Sequence, residues 1–519
     1  MIYYILLHIL FFIFFHSLPY QGHDMINKSP LNKLQNASTI GIFGFGITGK
    51  SLLQLCAQLY PQAKIAICSK NISQEDTSFI RTYTMATIID YENIHTFLTQ
   101  ADCIIPSPGI ALSAYPDSMH KFVHELDIFA ALWQGKTIAL TGSIGKTSTL
   151  HLIQHLFLQA QLPAHLAGNV GYPLADLLRT QNNTDQWAIL ELSSFQLEYY
   201  TQPLNPRVAI LTNILPNHLD RHGSIEAYRS AKYALFNNLP HNSHALLPLS
   251  EYEHAAKSDL INHPGLAFFT MQQDSLRQDA MQQDPIKQDA IKQYTGSAPL
   301  FYFDTPTNTI LLKTKNNAPR ILYTLDEHYD SFAENWLIAL TTCYLSGIDI
   351  HTLSTSNTTL PGHRCDKVAQ SGNVTFYNDS KSTIIQASYA AIKKTLSQHA
   401  YTIVLIGGTG KGVDRREFLA DFAKHRDNLY VICFGIEHEL LFNECQRLGL
   451  DTCQREKLAD AFACATQQAK KITTSIPAKS MPSIAILFSP GGASFDQFAN
   501  YQERGNAFIA LVKQYITAQ

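Results

Sequence analysis

The chain has 519 residues, of which 45% are hydrophobic and 16% are charged. This length predicts about three domains, and the composition excludes both a disordered chain and a protein with many membrane spans. The 39 Lys and Arg residues nearly balance the 42 Asp and Glu residues, so the formal net charge of -3 gives no indication of a nucleic-acid-binding surface. The nine cysteines have no paired spacing, which is typical of free thiols in a reducing compartment.

An apolar run opens the chain and does not fit this composition. Residues 1–18 have nearly the length of a membrane-spanning helix or of a signal core. However, no Lys or Arg precedes the run, His8 and His16 lie within it, and no small-x-small cleavage site follows. Two interpretations stay open: a membrane anchor, or an upstream extension of a protein whose translation begins at Met25.

Beyond Met25, apolar runs alternate with helix-length amphipathic segments, which predicts a series of parallel α/β units. The first unit is a strand ending near residue 43, a glycine-rich turn and a helix over 50–59. Further strands are predicted at 64–68, 103–105, 137–140, 188–190, 208–212, 374–377, 402–406, 430–434 and 484–488. Breaks near Phe129 and Pro361 divide the chain into a leader and linker (1–30) and domains at 31–129, 130–360 and 361–519.

A tandem repeat rich in Gln and Asp lies near 271–293, within the middle domain. It contains few large apolar residues and therefore cannot bury much surface. We interpret it as a surface insertion.

The glycine-rich turn at residues 44–49 precedes a helix N-terminus, where backbone N–H groups favour an anion such as a diphosphate. The following strand ends at Cys68-Ser69-Lys70 and has no acidic residue to hold an adenosine ribose, which disfavours NAD binding. A turn at Ser107-Pro108-Gly109 follows another strand, and we expect it at the same sheet edge.

A second glycine-rich loop, at residues 141–149, also lies between a strand and a helix, the context of a phosphate-binding loop. Lys146 can neutralise phosphate charge, and the Thr147 hydroxyl can reach Mg²⁺. Gly142 is closer to the Gly-Lys pair than in a standard P-loop, so the pattern favours a variant ATP-binding ligase over a GTPase.

Two residues downstream of this loop could complete a metal site. Glu191 ends an apolar strand and can complete a Mg²⁺ shell together with Thr147. His218 could be a metal ligand, whereas Lys232 lies in a predicted helix where a lysine is usually a solvated cation.

The order of these motifs resembles the Mur ligases of peptidoglycan synthesis. The resemblance covers residues 40–508 except the repeat, and includes the segments 378–383, 407–414 and 489–498 in the last third of the chain. It implies three α/β domains, each with a mainly parallel sheet: a Rossmann-like N-terminal domain for a UDP-sugar, a P-loop-like central ATPase domain and a Rossmann-like C-terminal domain.

The resemblance also implies an ATP-dependent ligase with Mg²⁺ as cofactor and ATP as co-substrate. Within the family, residues 191–198 and 494–498 resemble the members that add D-glutamate to UDP-N-acetylmuramoyl-L-alanine (UDP-MurNAc-L-Ala) through an acyl phosphate. Two alternatives stay open: a Mur ligase that adds another amino acid, and a degenerate protein that binds the nucleotide precursor without ligating it. Because these substrates are cytoplasmic, we expect a cytoplasmic, monomeric enzyme that contacts a membrane only if the leader is real, and we favour the upstream extension.

Site residues follow from the resemblance position by position. The implied catalytic residues are Lys146, Glu191, His218 and Lys232, and the implied magnesium ligands are Thr147, Glu191, His218 and a carbamylated Lys232. The implied ATP contacts are Gly142, Ser143, Gly145, Lys146, Thr147, Ser148, Asn335, Arg364, Asp379 and Lys381. The implied contacts to the UDP substrate are Gly46, Ile47, Thr48, Ser69, Lys70, Ser107, Pro108, Gly109, Asn169, Ser193, Gln196 and His218. The implied D-glutamate contacts are Thr383, Lys411, Ser494, Phe495 and Tyr501.

The chain departs from the family pattern at a few positions. Ile144 replaces the usual Asn of the phosphate loop, Gly491-Gly492 replace Ala-Cys, and the segment before Asn335 is not recognisable. None of these changes removes a residue of the metal or phosphoryl-transfer machinery, so the sequence predicts an active enzyme.

Overall fold

The computed structural model describes residues 30–272, 296–315, 317–326, 333–356, 358, 361–475 and 482–518. The apolar leader and all but the first two residues of the Gln/Asp-rich repeat lie outside these ranges. Among the described residues, no helix combines the length and the hydropathy needed to cross a bilayer. The chain divides into two compact units. The small unit contains the described residues up to Gln134 together with Pro173–Asn183 and Tyr199–Leu204, and the large unit contains the remainder.

The small unit is built on a four-stranded parallel sheet in the order β3-β2-β1-β4. The strands are β1 (Thr39–Phe43), β2 (Lys64–Cys68), β3 (Ala86–Ile88) and β4 (Cys103–Pro106). The helices are Pro30–Gln35, Ile47–Leu59, Gln74–Ile80, Ile94–Gln100, Glu125–Leu132 and Leu174–Gln181. Three of the strands are almost wholly buried, as expected for a parallel sheet covered on both faces.

The large unit contains two sheets, the first of which has nine strands in the order β13-β12-β11-β10-β9-β8-β5-β7-β6. These are β5 (Lys136–Thr141), β6 (Ala164–Gly168), β7 (Trp187–Glu191), β8 (Val208–Leu211), β9 (His244–Pro248), β10 (Leu266–Gln272), β11 (Leu300–Asp304), β12 (Thr309–Lys313) and β13 (Arg320–Thr324). Its helices are Lys146–Gln159, Ser194–Leu197, Leu219–His222, Ile225–Tyr233, Tyr252–Ala256 and Ala333–Leu345. The first and last of these helices pack together over a core that includes the buried Trp336.

The second sheet has six strands in the order β14-β15-β19-β16-β17-β18. These are β14 (Asp366–Ser371), β15 (Val374–Asn378), β16 (Tyr401–Gly407), β17 (Leu429–Phe434), β18 (Asp451–Arg455) and β19 (Ile484–Phe488). Its helices are Ile385–Gln398, Arg416–Phe422, His438–Arg447, Leu458–Ser475 and Tyr501–Thr517. Separate apolar clusters cover the two faces of this sheet.

The predicted fold class, three mainly parallel α/β sheets, is confirmed. Two local predictions need correction. The first helix begins at Ile47, three residues before the predicted start, because Gly46 already acts as its N-cap. The parallel series is also extended by antiparallel strands, since β12 and β13 continue the nine-stranded sheet and β14 pairs antiparallel with β15. The predicted domain limits at 30, 129 and 360 stay predictions.

Candidate functional site

In the small unit, three turns meet at the carboxyl edge of the sheet. Gly44 N donates to Cys68 O at 2.8 Å, and Ser107 N donates to Phe43 O at 2.8 Å, because β1 lies between β2 and β4. Ser107 Oγ closes the group by donating to Gly44 O at 3.3 Å. This register brings the predicted UDP-contact segments 46–48, 69–70 and 107–109 to one edge of the sheet. Ile47 is 79% exposed there, and Lys70 Nζ lies 5.1 Å from the Tyr91 ring centroid.

In the large unit, the phosphate loop connects β5 to the helix that begins at Lys146. Gly145 has φ 81°, in the left-handed region where only glycine is unstrained. Polar side chains at the end of β8 hold the loop backbone: Asn213 Oδ1 accepts from Ile144 N at 3.0 Å, and Thr212 Oγ1 donates to Ile144 O at 2.8 Å. The loop is therefore anchored through main-chain atoms of Ile144, so the unusual side chain at this position does not loosen it.

Glu191 lies at the centre of the carboxyl edge of the nine-stranded sheet. Its strand pairs with β5 on one side and β6 on the other, which places it beside the phosphate loop and beside Asn169. Thr147 Oγ1 donates to Glu191 Oε2 at 2.8 Å, and Asn169 Nδ2 donates to Glu191 Oε1 at 2.7 Å. Glu191 is 1% exposed, so these charge-assisted hydrogen bonds fix a buried carboxylate.

His218 lies next to this group, in a left-handed backbone conformation with φ 56°. The Phe195 ring contacts its imidazole edge to face, with 4.9 Å between ring centroids. Burial, reinforced by Lys411, Lys146 and Lys232, lowers the pKa of His218 to about 3. The imidazole is therefore neutral at physiological pH and keeps a lone pair available for a metal ion.

Lys232 is not a solvated cation but a buried side chain with 2% exposure. Its Nζ donates to Gly142 O at 2.9 Å and to Thr141 Oγ1 at 3.3 Å, and lies 4.7 Å from the Tyr228 ring centroid. Burial and the neighbouring Lys146 lower the pKa of Lys232 well below its usual value. The amine thus lies beneath the phosphate loop with its neutral form favoured.

The C-terminal sheet contributes a second set of predicted residues. Asp379, at the end of β15, accepts from Ser382 Oγ at 2.5 Å and from Ser489 Oγ at 2.6 Å. Burial raises the pKa of Asp379 to about 7. Lys381 Nζ lies 4.1 Å from the Tyr501 ring centroid, a cation–π contact that positions both side chains.

One cavity of about 730 Å³ unites both sheets of the large unit. Its lining includes the predicted residues Ser143, Gly145, Lys146, Thr147, Ser148, Asn169, Glu191, His218, Asn335, Arg364, Asp379, Lys381, Thr383, Lys411, Ser494, Phe495 and Tyr501. Burial lowers the pKa values of Lys381 and Lys411, each to about 8, and nearby cations contribute to both shifts. Such a concentration of cations around few carboxylates favours a polyanionic ligand.

Some predicted residues do not line this cavity. Ser193 and Gln196 form a reciprocal capping box at the start of a short helix, with Gln196 N donating to Ser193 Oγ at 3.2 Å. Gly142 is also absent from the cavity lining, and its carbonyl oxygen accepts hydrogen bonds from Lys146 Nζ and Lys232 Nζ. Conversely, Phe195, Asn217, Cys365 and Ser382 line the cavity without having been predicted. Their adjacency to predicted motif residues was the available signal.

Part of the cavity wall carries donors suited to a magnesium ion. Among the described residues, no group of three or more His, Cys, Asp and Glu side chains forms a metal cluster. Mg²⁺, however, uses few protein ligands and prefers oxygen donors together with water and phosphate. The hydrogen-bonded oxygen donors of Thr147 and Glu191 fit that requirement, and the neutral His218 on the same cavity wall offers a nitrogen donor in addition.

Comparisons with known proteins agree with this architecture. The Mur ligase middle domain model matches residues 140–306. The chain is 30% identical over 428 residues to UDP-N-acetylmuramoylalanine–D-glutamate ligase of Acidobacterium capsulatum, covering 80% of this chain and 84% of that protein. It is 31% identical over 427 residues to the protein of the same name from Geotalea daltonii, covering 81% and 84%. The crystal structure of MurF from Acinetobacter baumannii shares the fold, with a TM-score of 0.53, 16% identity and coverage of 93% of this chain and 98% of that one.

Proposed function

Because the chain belongs to the Mur ligase family, we propose that it is the ATP-dependent ligase that joins D-glutamate to UDP-MurNAc-L-Ala. The alanine carboxylate takes the γ-phosphoryl group of ATP, which releases ADP. The D-glutamate amine then attacks the acyl phosphate, an amide bond forms and inorganic phosphate leaves. This proposal is supported by the two relatives named UDP-N-acetylmuramoylalanine–D-glutamate ligase, whose alignments cover 80% and 81% of this chain.

The observation that supports phosphoryl transfer best is the group formed by Lys146, Thr147 and Glu191. A carboxylate attacking ATP brings several negative charges together, so the site must supply cations and fixed donors. Lys146 donates to Gly142 O at 2.7 Å and to Ser143 O at 3.2 Å. Both partners are neutral carbonyl groups, so a phosphate can replace them as the partner of the lysine. Arg364, Asp379, Lys381 and Asn335 are the proposed further ATP contacts.

Thr147, Glu191 and His218 are the residues proposed to hold Mg²⁺, which when bound supplies positive charge against the phosphate oxygens. Lys232 is proposed to carry a carbamate. Its neutral amine would form a bond to CO₂ and release one proton, which converts the buried amine into an anion. Support for this comes from the burial of Lys232 and from its lowered pKa, because only a neutral amine is nucleophilic.

The proposed D-glutamate contacts are Lys411, Thr383, Ser494, Phe495 and Tyr501, all on the cavity wall. Lys411 supplies the charge for a carboxylate, and hydroxyl groups supply neutral donors. The proposed UDP contacts of the small unit are the three turns at its sheet edge. The predicted contacts Asn169, Ser193 and Gln196 stay predictions. A monomeric state and a cytoplasmic location stay predictions.

An amino-acid panel tests the proposed function. Purified protein with ATP, Mg²⁺ and UDP-MurNAc-L-Ala is offered D-glutamate, L-glutamate, L-lysine or meso-diaminopimelate, and product mass and ADP release are measured. We expect ligation of D-glutamate alone, with ADP release dependent on both substrates. Incorporation of L-lysine or meso-diaminopimelate instead would contradict the proposed amino acid, and absence of ligation with retained UDP-precursor binding would contradict the enzyme itself.

A further inference from the structure

Two cysteines lie in contact at the edge of the six-stranded sheet, and neither lines the cavity described above. Cys453 belongs to β18, the outermost strand, and Cys464 belongs to the helix Leu458–Ser475, which packs against that strand. Their Sγ atoms are 2.6 Å apart, and both thiols are free. A disulfide bond is about 2.05 Å long, so these atoms need to move by only about half an ångström to be joined.

Both cysteines are partly accessible to solvent, and nearby cations favour the thiolate form of Cys464. Both cysteines are half-buried at the rim of the apolar cluster beneath the helix. A hydrogen bond from Cys453, together with the charges of Arg455 and Lys471, lowers the pKa of Cys464 against the effect of burial. A thiolate is the reactive form of cysteine in thiol–disulfide exchange, so Cys464 is the nucleophile and Cys453 the resolving thiol.

We propose that Cys453 and Cys464 form a reversible intramolecular disulfide on exposure to a low-molecular-weight disulfide. The Cys464 thiolate attacks one sulfur of the reagent, which forms a mixed disulfide and expels one thiolate. The Cys453 thiol then loses its proton and attacks the Cys464 sulfur, which expels the second thiolate. Two cysteines are oxidised by two electrons in total, and one reagent disulfide is reduced to two thiols. An added dithiol reverses the reaction.

Cross-linking would tie an edge strand to the helix that covers it. The residue after β18, Glu456, accepts through its carbonyl oxygen from Gly435 N at 3.0 Å and from Gln497 Nε2 at 2.7 Å. Gln497 lies three residues beyond Ser494 on the cavity wall. The disulfide would therefore restrict opening of β18 and of the turn that supports the proposed D-glutamate segment.

The test uses the full-length protein, first reduced and then treated with oxidised glutathione under native conditions. We expect the intact mass to fall by that of two hydrogen atoms, a proteolytic map to join the peptides that contain 453 and 464, and the melting temperature to rise by several degrees. Dithiothreitol should reverse all three changes. Amide exchange in residues 451–456 should be slower in the oxidised form.

Cys453→Ser and Cys464→Ser are conservative variants, and each should abolish the internal link. Cys453→Ser should in addition accumulate glutathione at Cys464, whereas Cys464→Ser should not accumulate it at Cys453. Cys433 and Cys445 provide the matched control, because they also interact across a strand and a helix but are 0% exposed and should stay reduced. In the wild-type protein, stable glutathionylation of Cys464 without the internal link, or a link at 433–445 instead, would overturn the proposal.

Discussion

The two glycine-rich turns of the molecule carry nearly the same three residues, Gly49-Lys50-Ser51 in the small unit and Gly145-Lys146-Thr147 in the large unit. Their lysines have opposite surroundings. Lys50 lies within a helix that began at Ile47, and its Nζ pairs with Asp76 at 2.6 Å with 41% of the side chain exposed. Lys146 is the first residue of its helix and folds over the loop toward buried Glu191.

The glycines also serve different purposes in the two turns. A Cβ at Gly49 would fall 2.4 Å from Gly44 O, so this glycine permits close packing of the helix against the turn. Gly145 instead supplies a positive φ that turns the chain into the helix. A Gly-Lys pair after a strand therefore does not define a phosphate site. The turn in the large unit differs in two ways: its lysine is the first residue of the helix, and the buried Glu191 ends the neighbouring strand.

The largest expected effect separates these two lysines. Lys146→Ala should lower kcat by more than about 1000-fold, since it removes the cation proposed to neutralise the transferring phosphoryl group. Lys50→Ala, which removes only an exposed ion pair, should leave kcat within about twofold. ADP release with both substrates present measures each rate, and circular dichroism verifies folding. Equal losses in the two variants would mean that the turns are not functionally distinct.

A smaller effect is expected at Lys411, the proposed carboxylate contact. Lys411→Ala should raise the KM for D-glutamate by about 10- to 100-fold with less change in kcat, as expected for loss of a charged hydrogen bond. Burial and nearby lysines lower the pKa of Lys411 to about 8, so its positive charge is lost as the pH rises through that value. The wild-type KM should thus increase above pH 8, and the variant should lack this increase. A pH-independent wild-type KM would argue against the contact.

Phe195 is expected to act through His218, whose imidazole it contacts. Phe195 also contacts Arg221, whose guanidinium carbon lies 4.7 Å from the ring centroid. Arg221 in turn forms an ion pair with Glu198 at 2.8 Å. Phe195→Leu should lower kcat by up to about 10-fold, the range of one aromatic contact, and raise the Mg²⁺ concentration needed for half-maximal rate. Phe195→Tyr keeps the ring and should restore both values. An unchanged Mg²⁺ requirement in the leucine variant would exclude a positioning role.

Glu125, a buried carboxylate of the small unit, is expected to make the stability of the protein, not its rate, depend on pH. Glu125 Oε1 accepts from Ala175 N at 2.9 Å, and burial raises the pKa of Glu125 to about 7. A raised folded-state pKa stabilises the protein fully below the unfolded pKa of 4.5, and this contribution is lost as the pH rises through 7. The expected loss is on the order of 1 kcal/mol per pH unit across this window.

Glu125→Gln keeps an oxygen acceptor for Ala175 N but cannot titrate. Its unfolding temperature should therefore fall less between pH 5 and pH 8 than that of the wild type, when both are followed by calorimetry. Identical pH profiles would show that Glu125 is not protonated in the folded protein.

Much of the fold could be predicted from the sequence because parallel strands are continuous apolar runs with distinct ends. All nine predicted strands after the first lie within two residues of their observed positions. Nine observed strands, β3, β6, β9 to β14 and β18, were not predicted. Neither was the antiparallel extension from β11 to β13, because a strand's partner and direction depend on contacts distant in sequence. The helix start at Ile47 was missed for a local reason, since Gly46 lacks the side-chain cap that usually marks a helix N-terminus.

The sequence by itself determined which residues follow the carboxyl ends of the strands, and hence most of the cavity wall. It could not determine the state of those residues. Lys232 is a buried amine and Asp379 has a raised pKa because of packing between segments that are far apart in the chain. Proximity of Cys453 to Cys464 likewise arises only where a helix covers an edge strand. Burial and charge proximity are properties of the assembled tertiary structure, since local residue patterns fix backbone periodicity but not the distance between elements.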